Sequence, residues 1–188
     1  MLSNSPLISI GITCFNSSKT LKRSIESALN QNWENKEIII IDDFSSDDSL
    51  QIIELFLEKY PFIKLIKHEQ NKGYPAALNS IVKHAKGEYI SIFDSDDLSE
   101  LDRIRKQFLR LANFQKAFST EKIICYSNRR VLKEKQSPHI AYAIGRESIE
   151  PFGDEVADLI FGIKLPDKNL CWGLFGSCTM FIKKTKLI

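Results

Sequence analysis

Glu37-Ile38-Ile39-Ile40-Ile41-Asp42-Asp43-Phe44-Ser45-Ser46-Asp47 sets four consecutive isoleucines directly ahead of a polar, acidic turn. An unbroken apolar run of this kind reads as a strand covered on both faces, the situation of a parallel strand inside an α/β sheet. Asp43 to Asp48 then supplies loop and N-cap residues, and Leu50, Ile53, Phe56 and Leu57 recur at helical spacing up to a stop just before Pro61.

The same strand-then-helix unit repeats on either side. Upstream, Leu7 to Thr13 reads as a strand, followed by a helix with Leu21, Ile25, Ala28 and Leu29 on one face. Downstream come a strand at Ile63 to Ile66, the loop Asn71-Lys72-Gly73-Tyr74-Pro75, and a helix burying Ala77, Leu78, Ile81, Val82 and Ala85 that Gly87 closes. The fourth unit is a strand at Tyr89 to Phe93, the turn Asp94-Ser95-Asp96-Asp97, and a helix opened by Ser99 with Asp102 three positions on, a variant capping box. Leu101, Ile104, Phe108 and Leu111 are its expected buried stripe. Four such units predict an α/β fold: a mainly parallel sheet flanked by helices, joined by right-handed crossovers. Beyond Thr120 the rhythm changes to strand-like segments at Ile123–Ser127, Arg129–Lys133, Ile140–Ile144 and Ser177–Lys183, with a helical stretch at Asp154–Phe161. This half is expected to extend the same domain over residues 1–188.

The 188 residues are 43% hydrophobic and 27% charged, which supports one substantial core and excludes disorder, a fibrous repeat and a disulfide scaffold. A net charge of +2 with dispersed lysines gives no reason to expect nucleic acid, while an anionic small molecule stays open. Cys14, Cys125, Cys171 and Cys178 contain no CxxC pair, so no zinc site is expected. Cys14 and Cys125 lie in strand-like runs and read as buried free thiols of a reducing compartment, hence a cytoplasmic location. No signal peptide and no apolar run of about 18 residues is found.

In an open α/β sheet, ligands bind beyond the carboxyl ends of the strands, where helix N-termini present free N–H groups. Four polar loops fall there: Thr13-Cys14-Phe15-Asn16, Asp42-Asp43, Asn71-Lys72-Gly73 and Asp94-Ser95-Asp96-Asp97. Carboxylates gathered at one edge repel one another unless a cation compensates. If the backbone stays extended past Phe93, Asp94 and Asp96 point the same way. Oxygen ligands without histidine or thiolate suit Mg²⁺ or Mn²⁺ carrying a diphosphate. The plainer alternative is a solvated turn in which Asp96 or Asp97 starts the next helix, Asp47 is an N-cap and Lys72 an exposed cation. His68, His84 and His139 show no paired carboxylate in the sequence, so exposure or packing is expected of them. Trp172, Gly173 and Gly176 could line a binding groove or belong to the core.

At these residues the chain resembles glycosyltransferase family 2 of the GT-A superfamily. Pro6 to Ile10 leading to Thr13-Cys14-Phe15-Asn16, Ser27-Ala28-Leu29-Asn30-Gln31, and Glu37 to Asp47 are similar to successive family segments, with Phe44 where glycine or asparagine is usual. Asn71-Lys72-Gly73, Ala77, Asn79, Ala85-Lys86-Gly87-Glu88-Tyr89-Ile90 and the DXD-like Asp94-Ser95-Asp96 continue the series. The resemblance implies a GT-A fold, with residues 1–115 as the nucleotide-sugar-binding half and 116–188 as the start of an acceptor-side half.

It further implies a donor pocket of Thr13, Phe15, Asn16, Asp43, Lys72 and Asp94, with Mg²⁺ or Mn²⁺ on Asp96 and Asp94. Asp42 would orient the neighbouring loop. The implied reaction is inverting transfer from a nucleotide-diphosphate sugar, first of all a UDP-sugar, to a glycan or lipid-linked acceptor in polysaccharide biosynthesis. With such an acceptor, contact would be peripheral at the inner membrane face. The family's base is the aspartate of an ED pair after a strand like Gly176 to Ile182, and no ED pair follows before Ile188. Asp154 and Glu155, in reversed order and ahead of that strand, are weak substitutes that also read as a helix's first turn. The chain is therefore expected to be a fragment of a longer enzyme or a shortened, non-catalytic nucleotide-sugar-binding protein. A nucleotidyltransferase would need a glycine-rich, basic loop after the first strand, which is missing.

Overall fold

The computed structural model describes residues 5–132, 137–141 and 177–186. The expected units appear as β1 (Ile8–Cys14), α1 (Leu21–Leu29), β2 (Lys36–Asp42), α2 (Ser49–Lys59), β3 (Ile63–Lys67), α3 (Tyr74–His84), β4 (Tyr89–Asp94) and α4 (Arg103–Phe118). Short strands follow: β5 (Ile124–Cys125), β6 (Arg129–Val131), β7 (His139–Ala141) and β8 (Phe181–Lys183). The main sheet runs β3-β2-β1-β4-β8-β5, and β6 pairs with β7 in a separate ribbon. The first four of these are mutually parallel. β8 lies antiparallel between β4 and β5, making the sheet mixed.

Alternation of side chains divides the isoleucine run between two cores. Ile38 and Ile40 join Ile8, Ile10, Ile12 and Phe93 against Leu21, Ile25, Ile53, Ile104 and Leu111, so α1, α2 and α4 cover one face. Ile39 and Ile41 join Ile90 and Ile92 against Ala77 and Ile81, so α3 covers the other. All four isoleucines are fully buried, each contributing about 1.5–3 kcal/mol. Gly11 lets α3 approach β1: a Cβ there would stand 2.7 Å from Ile81 Cδ1.

Two polar residues tie distant segments together. Glu37 Oε1 accepts hydrogen bonds from Ser9 Oγ at 2.5 Å, the Lys86 N–H at 2.6 Å and the Gly87 N–H at 3.1 Å, fixing the turn before β4. Gln31 donates to the carbonyls of Ser27 and Glu100 and accepts from the Ile104 N–H, so the end of α1 grips the start of α4.

Three expectations need correction. The helix expected from Ser99 starts at Arg103 and its N-cap Asp102 makes no side-chain cap bond. Ser99 Oγ instead accepts from the Arg103 guanidinium at 2.9 Å, and Leu101, expected to be buried, is 60% exposed. The strand expected from Ser177 is a 3-10 turn (Ser177–Thr179) followed by β8. Of the expected strand at 140–144 and the helix at 154–161, residues 142–144 and the whole helix lie outside the described residues.

Candidate functional site

Sheet order reverses between β1 and β4, because β2 and β3 build outward on one side before the chain crosses to the other. Thr13 and Asp94 are register partners at the carboxyl ends of these strands, at the switch point where open α/β sheets take ligands. A cavity of about 670 Å³ opens there, its wall including Thr13, Phe15, Asn16, Asp43, Asp94 and Asp96. Asp47, Lys19 and Tyr74 also line it. Four segments separated in sequence therefore meet at one opening.

The acidic turn is held from below by α1 and the loop before it. Ser24 Oγ donates to the Asp94 carbonyl at 2.8 Å, the Arg23 guanidinium to the Asp96 carbonyl at 2.7 Å, and Ser95 Oγ to Ser17 Oγ at 2.7 Å. The Asp97 N–H returns to the Asp94 carbonyl at 3.2 Å, so the strand stops at Asp94. The extended backbone thus ends at Asp94, so the condition under which period-two alternation would align Asp94 with Asp96 is not met. Asp96 is exposed on the cavity wall. Instead, ligand atoms of Asp94, Asp97 and Cys178 lie within 4.8 Å of one another.

Asp94 Oδ1 accepts the hydroxyls of Tyr74 at 2.9 Å and Thr13 at 3.4 Å. Burial pushes its pKa upward and the charges of Asp97 and Asp96 push the same way, against the Tyr74 and Thr13 hydrogen bonds. Negative charge that is short of compensation fits a hard divalent cation. Cys178 suits such a cation poorly, because hard Mg²⁺ and Mn²⁺ take oxygen ligands; burial, then Asp97 and Asp94, push its thiol up to about 12. Beneath the turn, Arg103 is 8% exposed and stacks over Phe93 at 4.4 Å, donating to the Ile92 carbonyl, Ser99 Oγ and Gln107 Oε1. Burial pushes this guanidinium down to about 10, still charged at neutral pH.

Asp43 is more enclosed than its sequence position suggests. Oδ1 accepts the Lys72 N–H at 2.9 Å and meets His68 Nδ1 at 2.6 Å, while Oδ2 accepts the Gly73 N–H at 2.7 Å. Burial opposes its charge, but the Lys72, His68 and Gly73 hydrogen bonds outweigh that and hold it below the usual carboxylate range. Lys72 thus contributes its backbone, and its side chain is not part of the cavity wall. Gly73 adopts φ 81° at the N-cap of α3, a conformation that favours glycine. His68 corrects the expectation that no histidine has a carboxylate partner.

The β1–α1 and β2–α2 loops lace together. Asn16 Oδ1 accepts the Ser46 N–H at 2.8 Å, the Asn16 N–H donates to Ser45 Oγ at 3.0 Å, and Asp42 Oδ2 accepts the Ser45 N–H at 3.2 Å. Asp42 therefore orients its loop, as expected. Phe44 is held at φ 68° and Asn16 at φ 48°. Phe15 is 48% exposed and lines the cavity.

Lys19, Tyr74 and His68 escaped the sequence reading. Lys19 and Tyr74 could have been flagged from their places beside the first and third polar loops, whereas nothing local marks His68. Asp154, Glu155, Trp172, Gly173 and Gly176 lie outside the described residues. Among the described residues, no helix is long and apolar enough to cross a membrane, and Cys14, Cys125 and Cys178 are buried free thiols.

A family model described as "Glycosyl transferase family 2" matches residues 9–184. An Escherichia coli protein named UDP-Glc:alpha-D-GlcNAc-diphosphoundecaprenol beta-1,3-glucosyltransferase WfaP is 39% identical over 128 residues, covering 68% of this chain and 48% of its own. Residues 1–349 of S. aureus TarS, solved in complex with UDP, align with TM-score 0.65 at 20% identity, over 95% of this chain and 47% of that one. A Pyrobaculum calidifontis mannosyltransferase, solved with GDP-Man and Mn²⁺, aligns with TM-score 0.55 at 22% identity, over 58% of this chain and 33% of that one. At these identities the two structures support the GT-A fold alone. The chain spans less than half the length of the curated relatives it matches.

Proposed function

Because the chain belongs to glycosyltransferase family 2, we propose that it forms the donor-binding part of a metal-dependent enzyme that moves a sugar from a nucleotide-diphosphate sugar to an acceptor hydroxyl. The observation that carries this reading is the convergence of Thr13, Asp43, Asp94 and Asp96 on one cavity at the sheet's switch point. A UDP-sugar is the donor to test first, and the acceptor is a glycan or lipid-linked sugar. Support for both comes from the substrates in the name of the Escherichia coli relative.

Each residue then has a task. Phe15 offers its face to the nucleotide base, and Asp43 offers the acceptor capacity left on its carboxylate to an N–H of the ligand. Thr13 and Asp94 form the hydroxyl-binding floor toward the ribose, with Tyr74 holding Asp94 in place. Asn16 keeps the β1–α1 loop against Ser46 and so shapes the cavity rim. Lys19 is a cationic residue of the cavity wall, suited to phosphate oxygens.

Asp94, with Asp96 and Asp97 of the same turn, would hold Mg²⁺ or Mn²⁺, whose chemistry is to offset charge on the departing diphosphate. Attack of the acceptor hydroxyl on the anomeric carbon inverts that centre and releases the nucleoside diphosphate. A carboxylate must take the acceptor's proton, and none of the described residues is assigned that role.

Titration of the protein with UDP in the presence and absence of Mn²⁺ by calorimetry tests the reading. Metal-dependent binding is expected, weakened by about tenfold or more in Asp94→Ala and Asp96→Ala. Absence of metal-dependent binding, or indifference to both substitutions, removes the basis for the proposal. Binding by the full-length protein without sugar transfer or donor hydrolysis would mark a non-catalytic nucleotide-sugar-binding protein instead.

A further inference from the structure

Three segments meet at His68, and none of the roles above uses it. The imidazole is 8% exposed, with Nδ1 2.6 Å from Asp43 Oδ1 and Nε2 2.8 Å from Ser80 Oγ. The His68 backbone N–H donates to the Asp42 carbonyl at 2.9 Å. The ring thus spans from the residue after β2, across the end of β3, to the middle of α3.

Chemistry fixes the direction of the shorter contact. An ionised carboxylate only accepts, so Nδ1 carries the proton and donates to Asp43. The Asp43 oxygens are then unequal. Oδ1 is taken by His68 and the Lys72 N–H, whereas Oδ2 holds the Gly73 N–H alone. One acceptor position on Oδ2 is left over on a carboxylate that lines the cavity. A carboxylate on two rotatable bonds keeps such a position pointing one way only if its other oxygen is anchored, and the backbone N–H groups that help anchor it belong to an exposed loop. The buried ring, just past the end of β3, is the side-chain anchor: its own backbone is bonded to Asp42 and its far nitrogen is clamped by Ser80 on α3.

We propose that His68 is a positioning residue for donor binding: with Ser80 behind it, it orients Asp43 so that Oδ2 meets an N–H of the donor's base. The proposal rests on the donor-binding reading above. It concerns affinity for the nucleotide and leaves the chemical step alone, so its loss should raise the donor KM with little change in kcat.

The test compares UDP binding, with Mn²⁺, of the wild type with His68→Asn, His68→Gln, His68→Leu and Ser80→Ala, each also melted thermally. Asparagine carries an N–H near the Nδ1 position and keeps the Asp43 bond, whereas glutamine reaches toward Ser80 and leaves Asp43. The Asn variant should bind within about threefold of wild type, the Gln and Leu variants about tenfold or more weakly, and Ser80→Ala about two- to fivefold weakly. These losses should not track the losses in melting temperature. A Leu variant with wild-type affinity, an Asn variant as weak as Gln, or affinity falling in step with melting temperature overturns the proposal. If the histidine variants do not fold, unchanged binding by Ser80→Ala overturns it as well. A wild type that binds neither UDP nor GDP defeats the donor-binding reading instead.

Discussion

Asp47 accepts the Ser18 N–H at 2.9 Å and the Ser49 N–H at 3.0 Å, joining the β1–α1 loop to the start of α2. Burial works against its charge, but the hydrogen bonds of Ser49 and Ser18 outweigh it and hold its pKa at about 2, against an ordinary 3.8. A carboxyl more acidic in the folded than in the unfolded chain stabilises above its unfolded pKa and loses that contribution as pH falls through the folded one. Asp47→Ala should therefore cost about 1 kcal/mol at neutral pH. In urea unfolding the gap from wild type should close between pH 4 and pH 2, and a gap independent of pH would contradict the assignment. Phe44, nearby, occupies a left-handed conformation that bulky residues rarely adopt. The resemblance to a segment that usually carries glycine or asparagine there anticipated an unusual residue. The network that enforces its backbone is invisible until the two loops are brought together.

Among the elements, α3 packs closely on β1. A methyl group at Gly11 would press on three carbons of the fully buried Ile81, so Gly11→Ala should destabilise by about 1–3 kcal/mol. Introduced alongside Ile81→Ala it should cost clearly less than alone, and equal costs in both backgrounds would place the strain elsewhere. The four strand-helix units were legible because apolar periodicity is a local signal, and the sheet's two covered faces followed from Ile38 to Ile41. The start of α4 was not legible. Ser99 and Asp102 have the spacing of a capping box, yet Arg103 captures the Ser99 hydroxyl and Asp102 pairs with Lys106 at 2.7 Å. The turn after Asp94 misled for a similar reason, since Ser24 and Arg23 on α1 draw its carbonyls out of the extended path.

On the scale of the molecule, Arg103 and Gln107 join Ser99, β4, β5 and the 3-10 turn into one buried polar network, with Gln107 donating to the carbonyls of Cys125 and Thr179. Arg103→Met should leave three acceptors without their donor and lower stability by about 2–4 kcal/mol. Arg103→Lys, which keeps the charge without the fork, should recover less than half of that in denaturant unfolding. Full recovery would mean that charge alone matters. That four loops gather at one edge was readable from the sheet rule, because Thr13, Asp43 and Asp94 each follow an apolar strand. The pairing of Asp43 with His68 was not, for it needs β2 and β3 side by side. The order of the sheet also bears on how the chain is made. β1 is synthesised first and lies at the centre, but its second neighbour, Tyr89–Asp94, comes far later, and the outer rim of that neighbour stays bare until Phe181–Lys183 emerges. At ribosomal speed the bare rim lasts on the order of ten seconds, a window in which a nascent chain is open to capture by chaperones or by its own siblings on a polysome.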